Sequence, residues 1–413
     1  MNKAKDPSFL ICVSLWLYFG STTLQPIIAH IAGGEIVLAI RLLAIILAVI
    51  HAIKNPRNGK KTQFVRLIIL IFLPFLYNNM ELQNARWLPY LGYVFAIVYS
   101  IILYKSEVSK RELHQILMIY IAFSVITSLV SWLEYISFDS YSAIAKTLFP
   151  EENSQKMIYA FIVRKNLYGL TSHYSRNAFF VLMGIISTLY NSEITKKKKI
   201  LILLLLTITL FAIGKRGHLL FLLLALTISY LIINKVKAKT IIRIGIAAIV
   251  SAFGVFIISR YVPQINHTIE RFIVEETSDT DISSGRFEMY QDAYRLYEGN
   301  DYTPIGWGAY AASTYYYHPA LHNDYLQLFY ETGIIGEALV IIPNIIMLIY
   351  SAKLARRGVL IGKIALTYNL FFMTYALTGL PHYDHEVYLA YFILNALLYN
   401  QNEISNEKKQ IIN

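Results

Sequence analysis

The stretch His322-Asn323-Asp324-Tyr325-Leu326-Gln327-Leu328-Phe329-Tyr330-Glu331-Thr332-Gly333-Ile334-Ile335-Gly336 runs from ionisable residues straight into a long apolar segment. A junction of this kind sets charged groups at a membrane surface. At 100° per residue, His322, Tyr325, Leu326, Phe329 and Gly333 share one helix face, while Asp324, Gln327, Leu328 and Glu331 share another. A lone histidine at the head of a helix caps or packs more often than it catalyses. Its role therefore depends on which other polar groups reach the same side of the membrane.

The rest of the chain has the same character. Of 413 residues, 56% are hydrophobic and 15% charged, and the mean hydropathy is +0.48, which excludes an ordinary soluble body. Apolar runs close to the ~20 residues that cross a hydrocarbon core recur throughout, so 1–413 reads as a single membrane domain. A backbone in lipid must satisfy its own hydrogen bonds, and runs this long mean helices rather than barrel strands. The pattern predicts an all-α polytopic membrane protein with about twelve spans, at 9–30, 35–53, 64–77, 88–104, 113–136, 175–190, 200–213, 217–233, 241–259, 332–352, 359–380 and 387–399. No small-residue cleavage site follows the first run, which reads as a retained helix rather than a signal peptide. Cys12 is the one cysteine, so no disulfide forms within the chain.

Counted alternately from the N-terminus, one set of connecting segments holds Lys3 and Lys5; Lys54, Arg57, Lys60 and Lys61; Lys105, Lys110 and Arg111; Lys196 to Lys199; Lys235, Lys237 and Lys239; Lys353, Arg356 and Arg357; and Lys408 and Lys409. The bias of Lys and Arg toward cytoplasmic loops puts both termini inside. It also accounts for most of the +11 net charge without a nucleic-acid partner. The opposite side then carries two long segments, 137–174 and 260–321, the second preceding the tenth span. The chemistry is expected to face outward.

Several motifs fall on that outer side. Gly214-Lys215-Arg216-Gly217-His218 places two cations against the orientation rule; they either snorkel to lipid headgroups or bind an anion. Ser283-Ser284-Gly285-Arg286 is a turn opening a helix with Arg286, Tyr290 and Tyr294 along one side, and Arg presents a planar fork suited to phosphate, though a solvated Arg is equally at home there. Glu275, Glu276, Asp279 and Asp281 imitate the start of a calcium loop, but Tyr290 stands where the closing Glu belongs, so the cluster reads as a solvated loop and no metal site is expected. Thr303-Pro304-Ile305-Gly306-Trp307-Gly308 marks a tight turn before a Tyr-rich run leading to His318 and His322. Arg41, in the outer half of the second span, needs an interior partner, either an ion pair or a lipid diphosphate. Arg176, with His173 before it, opens the sixth span at the same side. Pro381-His382-Tyr383-Asp384-His385-Glu386 joins the last two spans outside; it either orients His322 or serves the acceptor, though a satisfied polar turn is the plainer reading.

Taken together, Ser284-Gly285-Arg286, the Gly306-Trp307-Gly308 turn and His322-Asn323-Asp324-Tyr325-Leu326-Gln327 with Glu331, Gly333 and Gly336 resemble the signature region of the O-antigen ligase and O-antigen polymerase superfamily of bacterial membrane glycosyltransferases. The Gly214-Lys215-Arg216-Gly217 turn is similar to that family's other arginine position. The resemblance is specific over 285–336. It implies a glycosyltransferase C-like fold in the bacterial cytoplasmic membrane and a metal-independent, inverting transfer from an undecaprenyl-diphosphate glycan, with no cofactor. By that resemblance Arg216 and Arg286 hold the diphosphate and His322 activates the acceptor hydroxyl, with Lys215, Arg41, Arg176, His173, Asn323 and Tyr325 as further substrate contacts. Such chemistry needs cations to neutralise a departing diphosphate and a base near the attacking hydroxyl. The expected activity is polymerisation of lipid-linked oligosaccharide repeats into O-antigen, capsular or other surface polysaccharide, with a chain-length regulator as a candidate partner. A ligase moving finished glycan onto lipid A core shares the signature. A non-catalytic lipid-oligosaccharide flippase would instead spread polar groups through the bilayer midplane and both faces.

Overall fold

The computed structural model describes residues 8–57, 62–81, 87–234, 286–298 and 321–412, with isolated positions between 242 and 270. Among these residues the regular structure is helical, apart from an isolated bridge between Pro56 and Ser106. In chain order the helices are α1 (Ser8–Thr23), α2 (Gln25–Ala32), α3 (Gly34–Lys54), α4 (Gln63–Glu81), α5 (Trp87–Lys105), α6 (Lys110–Ile136), α7 (Phe138–Leu148), α8 (Glu151–Arg164), α9 (Tyr174–Tyr190), α10 (Lys196–Ile213), α11 (Arg216–Asn234), α12 (Arg286–Glu298), α13 (Asp324–Arg356), α14 (Leu360–Tyr375) and α15 (His385–Ile412). Each expected span coincides with a helix except 9–30, which is two helices, and 241–259, most of which lies outside the described residues. By length and hydropathy alone, α3, α6, α11 and α13 can cross a membrane, and a fifth span is added if α1 and α2 count as one. The chain is a helical membrane protein.

The first apolar run is not the single helix expected over 9–30. It bends by 79° between α1 and α2. Pro26 lacks an N–H and crowds the residue before it, so the helix cannot continue through Leu24 and Gln25. The turn of α1 before the break is secured by its own side chains: Ser21 and Thr22 donate to Tyr18 O, and Thr23 donates to Phe19 O. Segment 137–174 is likewise helical rather than an open connection. α7 and α8 close over a small core of Tyr141, Ala145, Phe149, Met157, Ala160 and Tyr168, against which Ile27 of α2 packs.

Small and hydroxylated residues let the central helices approach closely, as lipid-embedded packing requires. Gly184 of α9 lies so near α6 that an added Cβ would sit 2.3 Å from Ser124, whose hydroxyl donates to Phe180 O across the interface. Farther along, Asn177 donates to Ser131 Oγ (2.8 Å) and Leu167 O (3.0 Å), while Glu134 accepts from the backbone N–H groups of Tyr168 (2.8 Å) and Gly169 (2.9 Å). The 166–173 connection, which carries His173, is thereby fixed to the end of α6.

α13 also departs from the expectation. His322 precedes the helix in a left-handed conformation (φ 53°), and Gly333 breaks it with φ 65°, ψ −178°, a region open almost only to glycine. The break is sharp. His382 touches both Asp324 and Asn344, yet in a straight helix those two Cα atoms would stand about 30 Å apart. The part before Gly333 therefore folds back, and the apolar remainder continues as the expected span. Away from it, the basic turns gather at the other end of the bundle: Arg57 N–H donates to Lys105 O, Glu107 N–H to Asn55 O, and His114 pairs with Asn191.

Candidate active site

Three helices begin near one another, and their N-termini build the site. α9 starts after His173, whose Nδ1 accepts from Ser175 N–H (3.2 Å) and so caps the helix. α11 starts after Gly214, a left-handed C-cap for α10 (φ 77°) that lets the chain reverse through Lys215. α13 starts after Asn323, whose side chain accepts from Leu326 N–H (3.2 Å). Helix N-termini carry partial positive charge, so their convergence makes a ready-made anion site.

Charged side chains add to that field. The half-buried Lys215 ammonium lies 5.0 Å from the centroid of the Tyr174 ring, and Tyr174 and His173 rings are 4.8 Å apart. Arg176, one turn into α9, meets Glu386 (3.2 Å) and Asp384 (3.8 Å) from the connection before α15 and its first turn. Arg41 of α3 donates to Gln25 Oε1 at the α1–α2 break (2.8 Å) and interacts electrostatically with Glu386. Crowding by protein, then the Lys215 cation, push the His173 imidazole down, to about 4; Arg176 and His322 act in the same direction and Asp384 opposes. His173 nevertheless remains exposed. With Nδ1 accepting from Ser175, its proton sits on Nε2, which is left to donate to a ligand.

His322, Lys215, His173 and Arg176, far apart in the chain, are thus one electrostatic cluster, and Arg41 joins it through Glu386. Arg216, half-buried, is the first residue of α11; its neighbour Gly217 lies beside Thr378, with only 3.5 Å between a Cβ there and Thr378 Oγ1. The Arg286 side chain lies outside the described residues, as do Gly285, the Gly306-Trp307-Gly308 turn and the acidic run 275–281. The helix that Arg286 opens is described, and its Met289 and Tyr290 pack against Leu321 and Tyr330 on either side of His322 and the first turns of α13. Asn323 and Tyr325 are engaged structurally: one caps α13, and the Tyr325 hydroxyl donates to Met373 O (2.7 Å).

Sequence reasoning gave Asp324 no role and ranked the 381–386 turn as a satisfied polar turn ahead of one that orients His322. Both adjoin the cluster. Asp324 is fully buried and accepts from the backbone N–H of His382 (3.0 Å) and from its ring Nδ1, while Glu386 and Asp384 grip Arg176. The available signal was an acidic residue two places from His322, on the helix face opposite to it. Among the described residues, no three His, Cys, Asp or Glu side chains are grouped to hold a metal ion. The arrangement suits a multiply charged anion held beside a histidine open to solvent.

Residues 200–341 match the model of a family described as O-antigen ligase. This region spans the Lys215-Arg216 turn, α12 and the His322 segment, and supports the superfamily read from the motifs. No curated protein and no solved structure matches the chain.

Proposed function

We propose that this chain is a membrane glycosyltransferase that polymerises undecaprenyl-diphosphate-linked oligosaccharide repeats into a surface polysaccharide. The observation that carries the reading is the gathering of Lys215, Arg176, His173 and His322 at three helix N-termini; Lys215 and His322 belong to the matched family region, which also holds Arg216 and Arg286. In this reading Lys215, Arg216 and Arg286 neutralise the donor diphosphate, and Arg176, Arg41 and the neutral His173 line the same recess. His322 removes the proton from a hydroxyl at the non-reducing end of the acceptor repeat. That oxygen bonds to the donor's anomeric carbon from the face opposite the diphosphate, and the C–O bond breaks with its electron pair passing to the lipid diphosphate. Configuration inverts, and transfer proceeds on the cations of the chain without a metal.

Twelve spans, both termini in the cytoplasm and an outward-facing site form the matching topology. The clustering of basic turns at one end of the bundle, away from His322, supports it. The gathering of Arg176, Lys215, His173 and His322 at one end rather than through the bilayer midplane also favours an enzyme over a flippase. The description of the matched family favours a second reading, a ligase that moves finished glycan to lipid A core or another acceptor. Replacing His322 with Ala in cells separates the outcomes. Loss of long ladders with single repeats still attached is expected of the polymerase. Loss of all attached glycan with accumulation of lipid-linked chains identifies the ligase. Unchanged ladders reject His322 as the base.

A further inference from the structure

A buried chain of hydrogen bonds runs beneath His322. Tyr391 of α15 donates to Asn344 Oδ1 (2.7 Å), Asn344 Nδ2 donates to His382 Nε2 (2.8 Å), and His382 Nδ1 then donates to Asp324 Oδ2. With the Asn344 amide nitrogen turned toward the ring, both ring nitrogens of His382 are engaged. All four residues are buried, and Asp324 Oδ1 has no hydrogen-bond partner among the described residues. The ring of His382 bridges the two arms of α13 across the Gly333 break, and so sets how far the first arm folds back. His322 sits just before that arm, between two tethered residues: Leu321 N–H donates to Gln327 Oε1 (3.2 Å), and Asp324 N–H donates to Ala376 O (2.8 Å). The same loop, 376–386, carries Asp384 beside His173 and Arg176.

We propose that Asp324 and His382 are positioning residues for His322: their buried pair sets the fold-back of α13 and thereby the place of the catalytic imidazole relative to the diphosphate-binding cations. The inference rests on the glycosyltransferase reading. Misplacing a catalytic group by about 1 Å can lower a rate by ~10²-fold while leaving ligand contacts in place. The loss should therefore fall on kcat rather than on KM for the donor.

The test measures transfer by the full-length protein in liposomes, with a purified lipid-linked repeat. Asp324→Asn keeps the volume but takes the charge from the one oxygen that both N–H groups of His382 share, and so weakens the pair. It is expected to lower kcat at least tenfold, with KM within about threefold. His382→Asn, which retains a donor at the place of Nδ1, is expected to recover activity relative to His382→Ala, and thermal midpoints verify that each variant is folded. The decisive comparison is made in a His322→Ala background, where a residue acting through His322 lowers the residual rate no further. A kcat unchanged by Asp324→Asn, or the same fold loss with and without His322, overturns the proposal while leaving the functional reading intact. If His322→Ala alone transfers at the native rate, the functional reading fails, and this inference with it.

Discussion

His173 shows how one residue can report on the electrostatics of the whole site. Its imidazole is held well below the ordinary value by crowding and by Lys215, so the unfolded chain binds its proton more tightly than the folded one does. Between the ordinary pKa near 6.5 and the folded value of about 4, the unfolded state carries the extra proton, and stability falls as pH drops through that window. Protonation also removes the Nδ1 lone pair that caps α9. A His173→Asn variant keeps a capping acceptor without a titrating ring, and its thermal midpoint is expected to vary less over pH 6.5 to 4 than the native protein's. Equal slopes would mean that the proton uptake lies elsewhere. Asn323, expected as a substrate contact beside His322, also caps α13 through its side-chain oxygen. Caps and ligands draw on the same residue types, and spacing alone does not separate them.

At the scale of the element, α13 is defined by Gly333. A side chain at φ 65°, ψ −178° costs about 1–3 kcal/mol, and three residues on, a Cβ at Gly336 would already lie 2.2 Å from Thr332 Cβ. Gly333→Ala is therefore expected to destabilise the protein by about 1–3 kcal/mol, read as a lowered denaturation midpoint in detergent. An unshifted midpoint would show that the helix can straighten without penalty. The two breaks differ in legibility. Pro26 announces a stop in the sequence, and the error over 9–30 came from weighting apolarity above that signal. Gly333 stands in an apolar run where glycine is common in membrane helices, so nothing local distinguishes a fold-back from close helix packing.

For the whole molecule, the separation of basic turns from the charged cluster leads to an accessibility prediction. In a Cys12→Ala background, a cysteine at Ser140 is expected to react with a membrane-impermeant thiol reagent added outside intact cells, and one at Lys197 only after permeabilisation. The reverse pattern would invert the proposed topology and move the His322 site to the cytoplasmic face. The helical membrane class, most helix positions and the family resemblance carried by the Lys215-Arg216 turn and the His322 segment were legible in the sequence. Lipid forces apolar length and internal hydrogen bonding on each span separately, and that constraint is written in local composition. Tertiary structure alone decided that Arg176 would face Glu386 and Asp384, that Lys215 would lie over Tyr174, and that His382 would join the two arms of α13. Those pairings join residues from 38 to 210 positions apart. They depend on which helix faces meet once the bundle packs, and a linear pattern of apolar runs carries no record of that choice.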